Sequence, residues 1–368
     1  MADVKKLKSS LYVDSLKEAV KSCEALRKDK DNHQDISLGD YVKTRWGVTM
    51  ESFYADLGVD PSIDTIENIV NMPNDNLRWL LPEITRDAIK VGMRKAPIYP
   101  NLIAATQNVK AMEVTQPVVN MSDAMPLYTG IAETIRLGEV SFDQKTVKIR
   151  KFARGIKIPY EVRNFVSLNV VSIFLQDYGI KMGIGKDNLA LDTLMNGDQG
   201  DGSDAAAVIG INTVNTLAYR DLTKVFLRMA QIGRQPTVMI GGETMSLDML
   251  DLPQFSTKVQ GSPDKKLNIK TPLPDSVDFY VHAAVESNQV IMVDPSLAMI
   301  EYVAQPLLVE SEKMVSNQTE ATYVSFMTGF GIAYTDSRLI IDRSLAFSSN
   351  GFPSYLDYST AQKEAFHK

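Results

Sequence analysis

Between Glu139 and Ile158 the chain carries a stretch that cannot build a core for itself. Thr146, Lys148 and Arg150 alternate with Val147 and Ile149, the period of two that defines a strand. Lys145, Lys148, Arg150, Lys151, Arg154 and Lys157 make the stretch strongly basic, and Asp143-Gln144-Lys145 is polar enough for a turn. The stretch is therefore predicted to be a long basic hairpin. Two-stranded ribbons are marginal in water when they stand alone, so this one needs a surface supplied from elsewhere.

The next segment is predicted to be a helix of unusual length. From Pro159 to Asn196, Phe165, Leu168, Val171, Leu175, Tyr178 and Met182 succeed one another at helical spacing, and Leu191, Leu194 and Met195 resume the pattern. At ~1.5 Å per residue such a helix is roughly 50 Å long. Asn196-Gly197 ends it as a C-cap. Gly179 and Gly183, one turn apart, suit a kink or a close backbone contact.

Beyond the acidic turn Asp198–Asp204, the residues Leu222, Val225, Phe226 and Met229 mark a helix stopped by Gly233. A short buried strand at Thr237–Ile240, a helix at Glu243–Leu252 and a polar surface loop at Phe255–Pro274 come next. Phe279 and Val281, then Val290–Val293, read as strands. Val324, Phe326, Thr328, Phe330, Ile332 and Tyr334 alternate over a long strand, with Gly329 and Gly331 as expected bulge points.

Upstream, Leu16–Leu26 has a helical period with Cys23 on its apolar side. The region Glu51–Asp75 holds Asp56, Asp60, Asp64 and Glu67 but no Lys or Arg, and is broken by Pro61 and Pro73. Short helices along an arm are expected there, and a solvated face is the plainer reading of the acids. Val114, Val118 and Val119 are strand-like, with Pro117 suited to a sheet edge. The fold class is α+β.

Composition removes several functions. A net charge of −6 over 368 residues argues against a protein that coats nucleic acid by neutralising phosphate. One cysteine, Cys23, forms no intrachain disulfide, and the histidines His33, His282 and His367 lie far apart. Phosphate-loop, nucleophile-elbow and H-E-x-x-H signatures are missing. Gly200–Ala205 fits G-x-G-x-x-A only weakly, after a helix and with two acids that repel phosphate. Asp198, Asp201 and Asp204 could face a hard cation, but their spacing misses the calcium-loop pattern. No catalytic residue, cofactor or metal ligand is predicted. No apolar run suits a membrane helix, and the N-terminus lacks a secretion signal, so a reducing cytoplasm, or something assembled there, is the expected setting.

The order of these parts resembles the major capsid proteins of tailed bacteriophages, the HK-ninety-seven-fold family. The likeness is carried by Val140–Thr146 through Ile156–Pro159 to Leu194–Asp198, by Gln235–Ile240 with Met245–Leu252, and by Tyr323–Ile341. The resemblance implies an N-terminal arm over 1–95, a strand leading into the peripheral (P) domain over 96–118 and an extended hairpin (E-loop) over 119–158. It also implies a P domain over 159–213 and 305–345 with a spine helix at 160–196, an axial (A) domain over 214–304 and a tail over 346–368.

The same resemblance implies a structural protein without enzymatic activity, which assembles as pentamers and hexamers into an icosahedral head around double-stranded DNA. No sequence-specific DNA contact and no membrane are implied. The expected location is the virion, after assembly in the host bacterial cytoplasm, with portal, scaffolding and decoration proteins as candidate partners. Some members weld subunits between a hairpin Lys and a P-domain Asn. Here Arg136 and Thr322-Tyr323 fall near those positions, so welding is not expected. From the residues themselves, the hairpin cations Lys145, Lys148, Arg150, Lys151 and Arg154 and the acids Asp56, Asp60, Asp64 and Glu67 are the candidate assembly interface. Two rivals stay open: an encapsulin-like compartment, and a metal-dependent hydrolase using the Asp198–Asp204 loop.

Overall fold

The computed structural model describes residues 20–23, 25, 37–60, 64, 80–95, 97–116, 118–119, 140–141, 145–159, 161, 166–198, 204–254, 277–353 and 356. Two sheets organise them. The first contains β1 (Ile103–Asn108), β6 (Arg150–Pro159), β11 (Met299–Met314) and β12 (Thr319–Ile332) in the order β1-β11-β12-β6. The second contains β7 (Val208–Ile211), β8 (Val238–Gly241), β9 (Asp278–Val281), β10 (Gln289–Val293) and β13 (Arg338–Ala346) in the order β7-β13-β10-β8-β9. Both mix parallel and antiparallel pairs, and with the helices they make the α+β class expected from sequence.

One helix joins the two sheets. Among the described residues the main helices in chain order are α1 (Leu38–Trp46), α2 (Met50–Leu57), α3 (Leu80–Lys95), α4 (Leu168–Asn196), α5 (Tyr219–Gln231), α6 (Glu243–Asp251) and α7 (Pro295–Ala298), and residues 20–23, 25 and 161 are also helical. Val171 and Leu175, near the start of α4, share a core with Val324 and Phe326 of β12 and with Ile84, Ala88 and Ile89 of α3. Ala190, Leu191 and Leu194, near its end, share another with Val238, Ile240, Ile291, Val293 and Ile340 of the second sheet. The opposite face of that sheet, with Met239, Val290, Met292, Leu339 and Ile341, is covered by Leu222, Val225, Phe226 and Met229 of α5 and Met245 and Met249 of α6. Covered on both faces, the central strands read as continuous apolar runs, Val-Met-Ile and Val-Ile-Met-Val.

Glycine decides how closely α3 and α4 approach. A Cβ on Gly179 would lie 2.2 Å from the Ile89 carbonyl oxygen, and one on Gly92 would lie 2.1 Å from that of Gln176. The contact anticipated for Gly179 and Gly183 is thus a helix–helix contact, with Gly183 opposite Met93. Gly197 ends α4 at φ 83°, its N–H donating to the Thr193 carbonyl at 2.9 Å.

Several expectations need correction. The long helix starts at Leu168, not at residue 160: Pro159 is the last residue of β6, and Glu161 is helical ahead of α4, with residues 162–165 outside the described residues. A proline is tolerated there since β6 is an edge strand; Phe165 lies outside the described residues. Gly329 and Gly331 stay in register opposite Tyr302 and Ile300, and the irregularities fall on β11, between Val303 and Leu308 around Pro306, which has no N–H to donate. The alternation in β12 buries Val324, Phe326, Thr328, Phe330 and Ile332, but the strand ends before Tyr334. The segment Tyr323–Ile341 is divided between the sheets, since β12 lies in the first and β13 pairs with β10 and β7 in the second. Finally, the region read as an arm adds to the core: Leu38, Val42, Phe53 and Val59 are buried together with α3 and α4. The Phe255–Pro274 loop lies outside the described residues.

Candidate assembly surfaces

The hairpin is built differently from its sequence reading. Its legs are β2 (Glu113–Thr115) with β5 (Thr146–Lys148), and β3 (Val118–Val119) with β4 (Val140–Ser141), both antiparallel. Arg150–Lys157, read as part of the ribbon, instead pairs along its length with β12 as β6. Residues 142–144, where the turn was expected, lie outside the described residues, but the pairing of β4 with β3 places the connection farther on, between Val119 and Val140.

The base of the ribbon rests on β12. Val147 and Ile149 are buried with Tyr302. A Cβ on Gly331 would lie 2.7 Å from Val147 Cγ2, and one on Gly329 would lie 2.8 Å from the Lys148 carbonyl oxygen. Both glycines therefore give the ribbon room to cross the sheet.

Lys145 is the clearest departure among the candidate interface residues. Its ammonium lies 2.9 Å from Asp204 Oδ2 and 3.3 Å from Asp198 Oδ2, and its side chain is only 12% exposed. It also donates to the Ile332 carbonyl at 3.1 Å, beside the Gln116 amide at 2.9 Å. The Ile332 N–H donates to Asp198 at 2.9 Å. Burial, reinforced by the adjacent Asp204 carboxyl, lifts the Asp198 pKa above the usual carboxylate range, against the opposing pull of the Ile332 N–H and Lys145. Lys145 is thus an internal partner and no outward contact. The loop weighed as a cation site receives its positive charge from the chain itself. Among the described residues no group of three or more His, Cys, Asp or Glu side chains is placed to hold a metal ion.

The other hairpin cations point outward. Lys148, Arg150, Lys151 and Arg154 are all exposed, while the intervening Val147 and Ile149 are buried. The alternation therefore puts Lys148 and Arg150 on one face, as read from sequence. Lys148 stands directly opposite Glu113 in the ribbon, a pairing that the alternation alone did not suggest. Of the acids, Asp60 is exposed, Asp56 and Asp64 are half-buried, and Asp64 accepts the Asp60 N–H at 2.7 Å. Glu67 lies outside the described residues.

Sequence reasoning missed a groove of about 340 Å³ between β6 and the start of α4, floored by Ile156, Ile158, Val171, Phe174 and Leu175 and edged by Arg154, Lys157 and Lys181. Beside it Ile173 and Phe174 are 63% and 66% exposed. Spacing alone did not reveal it, since Phe174 stands three residues after Val171 and four before Tyr178, the spacing of a buried stripe.

Comparison with known proteins places this architecture. The chain matches the phage capsid protein family over residues 143–341, more than half its length. No curated protein matches it in sequence. Among solved structures, the virus-like particle of Pyrococcus furiosus has 11% identity and a TM-score of 0.48, covering 71% of this chain and 98% of that one. A phage-related protein of Bordetella bronchiseptica has 12% identity and a TM-score of 0.49, covering 70% and 97%. The SrpI encapsulin of Synechococcus elongatus has 11% identity and a TM-score of 0.47, covering 68% and 89%. With the matched region running from the ribbon base through α4 and both sheets to β13, this chain belongs to the phage capsid protein family.

Proposed function

We propose that the chain is a major capsid protein that assembles as pentamers and hexamers into an icosahedral shell enclosing double-stranded DNA, with no chemistry of its own. Repeated head-to-tail contacts close into such rings. The net charge of −6 fits a container better than a coat that neutralises phosphate. The observation that supports the reading most is the exposed basic face of Lys148, at the base of the ribbon, and Arg150, where β6 begins, beside the buried Val147 and Ile149. That face would rest on an acidic surface of a neighbouring copy, with Asp56, Asp60 and Asp64 the first acids to test.

One exposed ion pair is worth only ~0.2–1 kcal/mol, but a shell repeats the contact in every subunit. The variant Lys148→Gln with Arg150→Glu removes the face without setting a second carboxylate against Glu113. Its unfolding free energy should stay within about 0.5 kcal/mol of wild type, as for most surface changes, while assembly followed by light scattering slows or stops. Salt near 1 M, where the Debye length falls to ~3 Å, should weaken wild-type assembly in the same direction. Unimpaired assembly of the double variant at low salt would refute the contact.

A further inference from the structure

The ribbon is two ladders, not one. Continuing the basal ladder from Thr115–Thr146 would set Val118 opposite Asp143, yet Val118 pairs with Ser141. The break spans two positions on one strand, Gln116 to Val118, and four on the other, Lys145 to Ser141, a slip of two residues beside Pro117, which has no N–H to offer a partner strand. On the basal side of the break, the last linked residues are Gln116 and Lys145, joined by the Gln116 N–H donating to the Lys145 carbonyl at 2.9 Å. These same two residues reach down to the Ile332 carbonyl, and Lys145 continues to Asp198 and Asp204. The cation beside the break is therefore fastened where the pairing is interrupted.

We propose that Lys145, Asp198 and Asp204 form an ion-pair clamp at the pivot of the ribbon, which fixes the direction in which the distal ladder leaves the body and which acid releases. The two acids are anchored independently of the ribbon. Asp198, two residues past the end of α4, accepts the Ile332 N–H. Asp204 is held because Gly197, at φ 83°, lets the loop return across the helix end, and because the Arg338 guanidinium donates to its carbonyl oxygen. The charged and titratable groups around the clamp are Lys145 from the ribbon, Asp198 and Asp204 from the loop, Tyr302 from β11 and Arg338 from β13. Tyr302 is a buried phenol whose pKa is raised by burial and then by the Asp198 charge, so it stays neutral in acid.

The direction of the pH effect is set by the state that release leaves behind. With Lys145 withdrawn, two neighbouring carboxylates face each other without the ammonium between them. Like charges at close range favour protonation, so the released state holds protons more tightly than the clamped one. Acid therefore favours release, and neutral pH favours closure. The inference does not depend on the shell reading, because it concerns the isolated subunit.

Hydrogen exchange on the full-length subunit, kept dilute enough to prevent association, tests it. At pH 7.5 the amides of Glu113–Gln116 and Val140–Lys148 should be protected, and at pH 5.5 they should exchange at least tenfold faster after correction for the intrinsic rate. The pair Asp198→Asn with Asp204→Asn should show the fast rate at both pH values, with the amides of α4 as protected as in wild type. Lys145→Met should behave likewise. Equal ribbon protection of wild type at the two pH values would overturn the clamp, as would wild-type protection in the Asn pair. An equal loss of protection in α4 would also overturn it, by making these residues part of the folding core.

Discussion

Lys186 lies in the second half of α4 with its ammonium 2.5 Å from Glu301 Oε1 and 4.2 Å from the centre of the Tyr99 ring. Both charged side chains are nearly buried, and Thr328 donates to the same carboxylate at 3.1 Å. Burial is the largest influence on Lys186 and lowers its pKa, but Glu301 and Tyr99 together outweigh it, so the pKa is raised. A raised lysine contributes stability that is fully present below its unfolded value of ~10.4 and lost as pH climbs through the folded one. Glu301→Gln leaves a buried ammonium without its counter-charge and should cost roughly 3–5 kcal/mol in a denaturant melt at neutral pH. A loss of less than ~1 kcal/mol, the range of an exposed pair, would mean that water reaches the pair. Neighbouring positions on the same helix should behave oppositely. Leu175, 4% exposed, should lose roughly 2–5 kcal/mol on truncation to alanine, whereas Phe174, 66% exposed, should stay within about 0.5 kcal/mol. The apolar spacing identified Leu175, but it does not separate Leu175 from Phe174, which also keeps helical spacing to Val171 and Tyr178; the fold does.

At the scale of elements, the ribbon separates into a packed base and an outer part. Excising Gly138–Lys151 would remove Val147 and Ile149 from the core along with the Lys145 contacts, so that deletion should destabilise the subunit. Replacing residues 120–139 with Asn-Gly is the cleaner cut, because Val119 and Val140 stand opposite each other and a two-residue turn suits such a pair. The shortened chain should keep its circular dichroism and melt within a few degrees of wild type, yet fail to form particles. A collapse of the melt would assign the outer ribbon to the folding core instead. Much of this element layer was legible beforehand. The strand Thr237–Ile240, the helix Glu243–Leu252, the stop at Gly233 and the cap at Gly197 all arise from local chemistry. The division of strands between the sheets was not legible, because β6 and β13 gain their places from partners far away in sequence, β12 and β7. The inward turn of Lys145 was hidden for the same reason: its partners lie more than fifty residues along the chain, and period-two alternation cannot report them.

For the whole molecule, α4 runs between two sheets that meet in one core at its C-terminal end, and the outward features among the described residues include the basic face of Lys148 and Arg150 and the groove at Phe174. In the N-terminal region the described helices belong to the subunit's own core, with Leu38, Val42 and Phe53 buried against α3 and α4. The sequence did convey the family, which matches over residues 143–341. The candidate interface was legible only as charge; which cations face out required the fold. The central claim, that the chain closes into a shell, is met most directly by electron microscopy of the purified protein expressed alone. The expected images are closed particles, or rings and tubes built from five- and sixfold units. A uniform field of monomers, at concentrations and salt where light scattering also stays flat, would contradict it.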